Sequence, residues 1–161
     1  MEKKANSLVS LAALALLAAC ECGDSARDAA GTDVAVLEDE ALAGSAADFI
    51  AKAGDRVFYE YDKSNISPEA EATLSRQADW LKQHSERKIL VEGHCDERGT
   101  REYNLGLGER RADAAARYLV DHGVPGDRVR TISYGKDRPI AAQGTQEEVY
   151  RMNRVAISVV E

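Results

Sequence analysis

The chain has 161 residues, 30% of them charged, with a formal net charge of −7. This length supports one domain with a real core, and the acidity excludes a nucleic-acid surface. With only three cysteines, Cys20 and Cys22 near the amino terminus and Cys95 far along the chain, there is no disulfide framework to read.

Residues 1–20 carry three features in order: Lys3 and Lys4, an apolar run from Leu8 to Ala19, and the small residues before Cys20. A positive flank, a short apolar stretch and a small-residue cleavage site mark an export signal. The run would span about 18 Å as a helix against a hydrocarbon core of about 30 Å, too short for a membrane span. Leu17-Ala18-Ala19-Cys20 resembles the bacterial lipobox, which implies cleavage after residue 19, a diacylglyceryl thioether on Cys20 and a further N-acyl chain such as palmitate. Several acyl chains matter because one alone holds only marginally.

Cleavage would remove Glu2, Lys3 and Lys4 and move the net charge from −7 to −8. Residues 20–46 hold seven carboxylates and one Arg among Ala and Gly, and read as a flexible, self-repelling tether. Its coil span would be about 25–30 Å. The remaining globular part is expected over 47–161.

Within it, Val57–Tyr61 is aromatic and β-branched and reads as a strand, with a loop at Asp62–Asn65. Ser67-Pro68 starts a helix whose stripe of Leu74, Ala78 and Leu81 runs to about His84. Lys88–Gly93 reads as a second strand, His94–Thr100 as a loop, and about Arg101 to His122 as a helix stopped by Gly123 and Pro125. Val129–Tyr134 and Arg154–Val160 give two more strands, with a short helix around Gln146–Arg151. The order β-α-β-α-β-(α)-β predicts an α/β fold, a two-layer α+β sandwich with helices on one sheet face.

The most distinctive stretch runs from Val91 to Thr100 and continues from Asn104 to Ala112. Strand alternation puts His94 and Asp96 on one face and Cys95 on the other. In the following helix Asn104, Gly108 and Arg111 share a stripe, with Leu105, Ala112, Ala116 and Leu119 on the adjacent stripe that packs on the sheet. Gly106 and Gly108 are costly in a helix interior, which makes sense if they leave a groove between Asn104 and Arg111. A carboxylate and a guanidinium beside such a groove suit a small zwitterion: Arg forks onto a carboxylate while Asp holds an ammonium. From spacing alone, a plain surface ion pair between Asp96 and Arg111 remains an equal reading. Neither a zinc cluster nor a thiol nucleophile with its base is visible around His94 and Cys95, so no metal, cofactor or enzymatic activity is expected.

These stretches, with Tyr59–Ile66, Ile132–Pro139 and Asn153-Arg154, resemble the OmpA-like peptidoglycan-binding domains, and among them the peptidoglycan-associated lipoproteins (Pal). The resemblance covers about 55–160. It implies a mixed four-stranded sheet and non-covalent binding of the peptidoglycan stem peptide through diaminopimelate. It further implies that Asp96 holds the ammonium and Arg111 a carboxylate, that Asp62 and Asn104 complete the pocket, and that Gly93, His94, Gly99, Thr100 and Arg154 support it. Where the family commonly has Asn-Arg-Arg, this chain has Asn153-Arg154-Val155. The architecture implied is that of an outer-membrane, lipid-anchored periplasmic protein linking membrane to wall, with Tol-system partners of a cell-division complex. Glu21 leans the same way, since an Asp after the lipidated cysteine favours inner-membrane retention in Gram-negative systems. The competing reading is a surface-exposed adhesin engaging a host ligand.

Overall fold

A computed structural model describes residues 42–161. The expected signal peptide, Cys20 and nearly all of the tether lie outside the described residues. The described part opens with a turn at Leu42–Ser45 and a helix, α1 (Ala46–Lys52), that the sequence reading missed. Ser45 caps it by accepting from the Asp48 N–H at 3.1 Å. Asp48 then accepts from Trp80 Nε1 at 2.8 Å and from the Gly44 N–H at 3.2 Å, while Phe49 meets the Trp80 ring edge-on. The expected boundary at residue 47 therefore falls inside a helix already fastened to the domain.

The other elements follow the sequence closely. They are β1 (Arg56–Phe58), α2 (Pro68–Gln83), β2 (Ile89–His94), α3 (Arg101–Asp121), β3 (Val129–Gly135), α4 (Gln146–Asn153) and β4 (Val155–Val160). Ser67 and Thr100 cap α2 and α3 by accepting from Ala70 and Tyr103 N–H groups, each at 3.2 Å. Glu148 reaches back to the Thr145 N–H at 3.0 Å to start α4. Beyond α3, Gly123 takes φ +95°, the left-handed stop expected there.

The sheet has four strands in the order β1-β4-β2-β3, mixed as expected: β4 is antiparallel to both β1 and β2, and β2 and β3 are parallel. Parallel pairing of β2 with β3 needs a long crossover, which α3 supplies. Alternation along β2 sends Ile89 and Val91 into the core, where they meet Leu74, Leu81, Ala112, Ala115 and Leu119. The other sheet face, with Phe58, Ile132 and Val159, stays partly exposed.

Two glycines set the distance between α3 and the sheet. A Cβ on Gly93 would fall 1.9 Å from the Gly108 carbonyl oxygen, and one on Gly108 would fall 2.3 Å from Ser133 Oγ and 2.9 Å from the Gly93 oxygen. Helix and strand backbones thus touch. The expected groove at Gly108 is instead a packing contact, and the space beside Gly106 holds only Arg110 Nη1, at 3.5 Å. The buried stripe of α3 is accordingly Asn104, Leu107, Gly108, Arg111, Ala112, Ala115 and Leu119, whereas Leu105 is exposed and Ala116 only half-buried.

Candidate functional site

The close approach at Gly93 carries the amino-terminal half of α3 over the end of β2. There the β2–β3 register shifts between Gly93 and His94, and simple alternation breaks. His94 therefore points away from the cavity beside it: its Nδ1 lies 3.0 Å from the Arg138 carbonyl oxygen and its ring packs near Tyr134. Burial lowers its pKa, which favours the neutral ring. Cys95 and Asp96, expected on opposite faces, both line the cavity.

This cavity, of about 100 Å³, is bounded by the 61–62 turn, the 95–99 loop and the first turns of α3. Asp62 adopts φ +57°, a left-handed turn that Asp tolerates, and accepts a hydrogen bond from the Tyr103 hydroxyl. Asn104 is buried and spends its amide N–H groups on the Arg98 and Thr100 carbonyls, at 2.7 and 3.0 Å. It shapes the loop and leaves only its oxygen for another partner. Lys136 clamps the same loop through the Glu97 and Gly99 carbonyls, at 3.1 and 2.6 Å. Gly99 sits at φ +88° within it, and Thr100 caps α3.

Asp96 is 5% exposed. Its Oδ1 accepts from the Arg98 N–H at 3.3 Å, and its Oδ2 from Arg98 Nη2 and from Arg154 Nη1, the latter at 3.5 Å. Burial would raise its pKa, but the Arg98 and Arg154 contacts outweigh that and hold the carboxyl below its ordinary value. Arg154 is fixed from behind by the Tyr59 carbonyl, at 3.2 Å.

Arg111 is 1% exposed. Its Nε donates to the Lys63 carbonyl at 2.9 Å, Nη1 to the His94 carbonyl at 2.9 Å and to Cys95 Sγ at 3.4 Å, and Nη2 to the Glu60 carbonyl at 3.1 Å. Four of its five N–H donors are engaged by protein atoms, and one is unengaged among the described residues. Nor is there an Asp96–Arg111 ion pair among the described residues; Asp96 is paired with Arg98 and Arg154. Cys95 is a free thiol whose pKa burial pushes up, and it donates to the Asn104 carbonyl at 3.3 Å.

All four residues expected to form the pocket, Asp62, Asp96, Asn104 and Arg111, line this one cavity. The OmpA family profile matches residues 58–153. The chain is 44% identical to the peptidoglycan-associated lipoprotein of Rhizobium meliloti, over 99% of this chain and 91% of that one. It is 43% identical to the protein of that name from Pseudomonas aeruginosa, over 88% and 89%. The chain belongs to the OmpA family. Its fold matches the crystal structure of the peptidoglycan-associated lipoprotein from Burkholderia pseudomallei with a TM-score of 0.63 at 38% identity, covering 66% of this chain and 90% of that one. The C-terminal domain of Helicobacter pylori MotB shares the fold alone, with a TM-score of 0.58 at 23% identity.

On this OmpA-family scaffold the structure adds residues the sequence reading passed over. Tyr61, Arg98, Tyr103 and Leu107 line the cavity, and Tyr150 of α4 packs its ring against Arg98. Tyr103 adjoins Asn104 at the start of α3, so its helical position was a usable signal. Tyr61 and Tyr150 are far apart in sequence, and only the sheet order brings β1 and α4 to one edge.

Proposed function

We propose that this protein is a lipid-anchored envelope protein whose folded domain holds peptidoglycan non-covalently by the diaminopimelate of the stem peptide. The observation that carries the reading is Asp96, a nearly buried carboxylate held ionised in the wall of a small cavity that also presents arginine donors. A cavity of about 100 Å³ suits the end of one side chain rather than a sugar ring. Asp96 Oδ1, with only one long hydrogen bond at 3.3 Å, is the acceptor for the ligand ammonium. The one unengaged N–H of Arg111 adds a single donor for the ligand, and Asp62 and the Asn104 oxygen border the ammonium side. The names of the relatives support the wall as the source of this ligand.

The lipobox at Cys20 supports attachment by acyl chains, and no described helix is long and apolar enough to cross a membrane. Anchorage in the outer membrane, a linking role between membrane and wall, and Tol-system partners belong to the same proposal and rest on the family resemblance. The test is co-sedimentation of the full chain, in mild detergent, with purified diaminopimelate-type sacculi. Wild type should pellet and Asp96→Asn, which keeps the shape and removes the charge, should stay soluble. Equal pelleting of the two would defeat the reading.

A further inference from the structure

The engaged donors of Arg111 leave a chemical gap, because recognition of a carboxylate by two parallel N–H groups needs a fork that Arg111 no longer has free. Arg98 has the opposite accounting. Of its five side-chain donors, only Nη2 is engaged, on Asp96 Oδ2, and its Nε is buried with no partner among the described residues. A buried, unsatisfied N–H of a charged group is costly unless something is meant to meet it.

The guanidinium is also held in a way that permits movement in its own plane. Its carbon lies over both rings, 4.0 Å from the Tyr61 centre and 4.4 Å from that of Tyr150, contacts that hold a guanidinium by its face without fixing where its N–H groups point. The rails are themselves supported: the Tyr150 hydroxyl donates to Glu97 at 2.7 Å and accepts from Gln146 Nε2 at 2.7 Å. The backbone of Arg98 is fixed through its carbonyl to Asn104 and its N–H to Asp96, leaving the side chain, a third exposed, as the moving part.

We propose that Arg98 is the residue that reads the ligand's carboxylate. Its guanidinium covers Asp96 through Oδ2 until a ligand ammonium arrives at Oδ1, and then swings along Tyr61 and Tyr150 to fork onto the carboxylate beside the ammonium. Ion pairing is exchanged rather than lost: Asp96 trades a guanidinium for an ammonium, and Arg98 trades Asp96 for the ligand. A ligand with an ammonium and no neighbouring carboxylate displaces Arg98 without giving it a new partner, and binds more weakly. Arg98 thereby selects an amino-acid zwitterion over a bare amine.

This inference rests on the proposed stem-peptide reading. It is tested by calorimetric titration of the full chain with a stem tripeptide ending in meso-diaminopimelate and with the same tripeptide ending in lysine. The lysine peptide keeps the side-chain ammonium and lacks the carboxylate next to it. Wild type should prefer the diaminopimelate peptide by about tenfold or more. Arg98→Ala should reduce the preference to about twofold while binding the lysine peptide as well as, or better than, wild type, because Asp96 is uncovered. Arg98→Lys, which retains the charge without the fork, should fall between. Retention of the full preference in Arg98→Ala, or equal weakening toward both peptides, overturns the proposal and leaves the binding site standing. Failure of wild type to bind either peptide overturns the site reading and this proposal together.

Discussion

Replacing Arg111 by lysine keeps the positive charge and removes the planar fork. The structure says this is mainly a blow to the fold. Arg111 ties the His94 carbonyl at the end of β2 to the Glu60 and Lys63 carbonyls of the turn beyond β1, all from a side chain 1% exposed. A lysine ammonium on a longer flexible stem can satisfy one of these three acceptors well. Two carbonyls bonded to a charged donor are then left short of partners, at about 1–2 kcal/mol each, so the loss is about 3 kcal/mol. For a domain of this size that corresponds to a fall in Tm of about 10 °C. Differential scanning calorimetry of wild type and Arg111→Lys, with circular dichroism to check the native content, measures it. A Tm within about 2 °C of wild type would refute the reasoning, because Arg111 would then be a free ligand-binding side chain. Sacculus binding alone cannot make this distinction, since an unfolded domain also fails to bind.

Gly93→Ala should destabilise by about 3 kcal/mol, because the new methyl meets backbone at 1.9 Å and α3 must lift from β2. Gly106→Ala, with nothing nearer than Arg110 Nη1 at 3.5 Å, should stabilise by about 0.5–1 kcal/mol through helix propensity; urea denaturation of both variants would reveal opposite signs or sink the assignment. Lys52 and Trp80 hold the Asp48 pKa at about 2, against an ordinary 3.8. A depressed carboxylate pKa gives stability that is present above the unfolded value and is lost as pH falls through the folded one. The stability gap between wild type and Asp48→Asn should therefore narrow as pH drops from about 4 toward 2, and a pH-independent gap in urea midpoints would contradict it.

The elements carrying local signals were legible. Ser67-Pro68, Thr100 and Gly123 sit at the helix ends they announce, because capping and left-handed stops depend on the chain within a few residues. β1 is shorter than its aromatic run suggests: the backbone turns out of the ladder on its way to the left-handed Asp62. α1 was missed because Ala-Ala-Asp-Phe-Ile-Ala-Lys continues the small-residue composition of the tether. What makes it a helix of the domain is Asp48 meeting Trp80, 32 positions away. The face of α3 was misjudged for a related reason. Leu105 looks like core and Arg111 like surface, yet a buried arginine is stable wherever backbone carbonyls converge on it, and those come from the ends of β1 and β2.

The same logic separates the two arginines of the cavity, and here residue type misleads most. By pattern Arg111 is the motif residue and Arg98 a solvated loop charge after Glu97. In space Arg111 is consumed by the fold and Arg98 is the side chain with donors to spare. An arginine can serve as both girder and ligand clamp only if its donors suffice for both, and five N–H groups with four engaged do not make a second fork. The proposed site divides the labour: Arg111 holds the walls at a fixed spacing, and Arg98 moves with the ligand. On that proposal Tyr61 and Tyr150 keep Arg98 near Asp96 as it changes partner, since stacking constrains the plane of a guanidinium and leaves rotation within that plane comparatively free. Tyr150→Leu should therefore weaken recognition of the ligand carboxylate with little change in Tm, whereas Arg111→Lys lowers Tm whatever ligand is offered. If Tyr150→Leu leaves the preference for the diaminopimelate peptide intact, Arg98 does not need its rails and the stacking is ornamental.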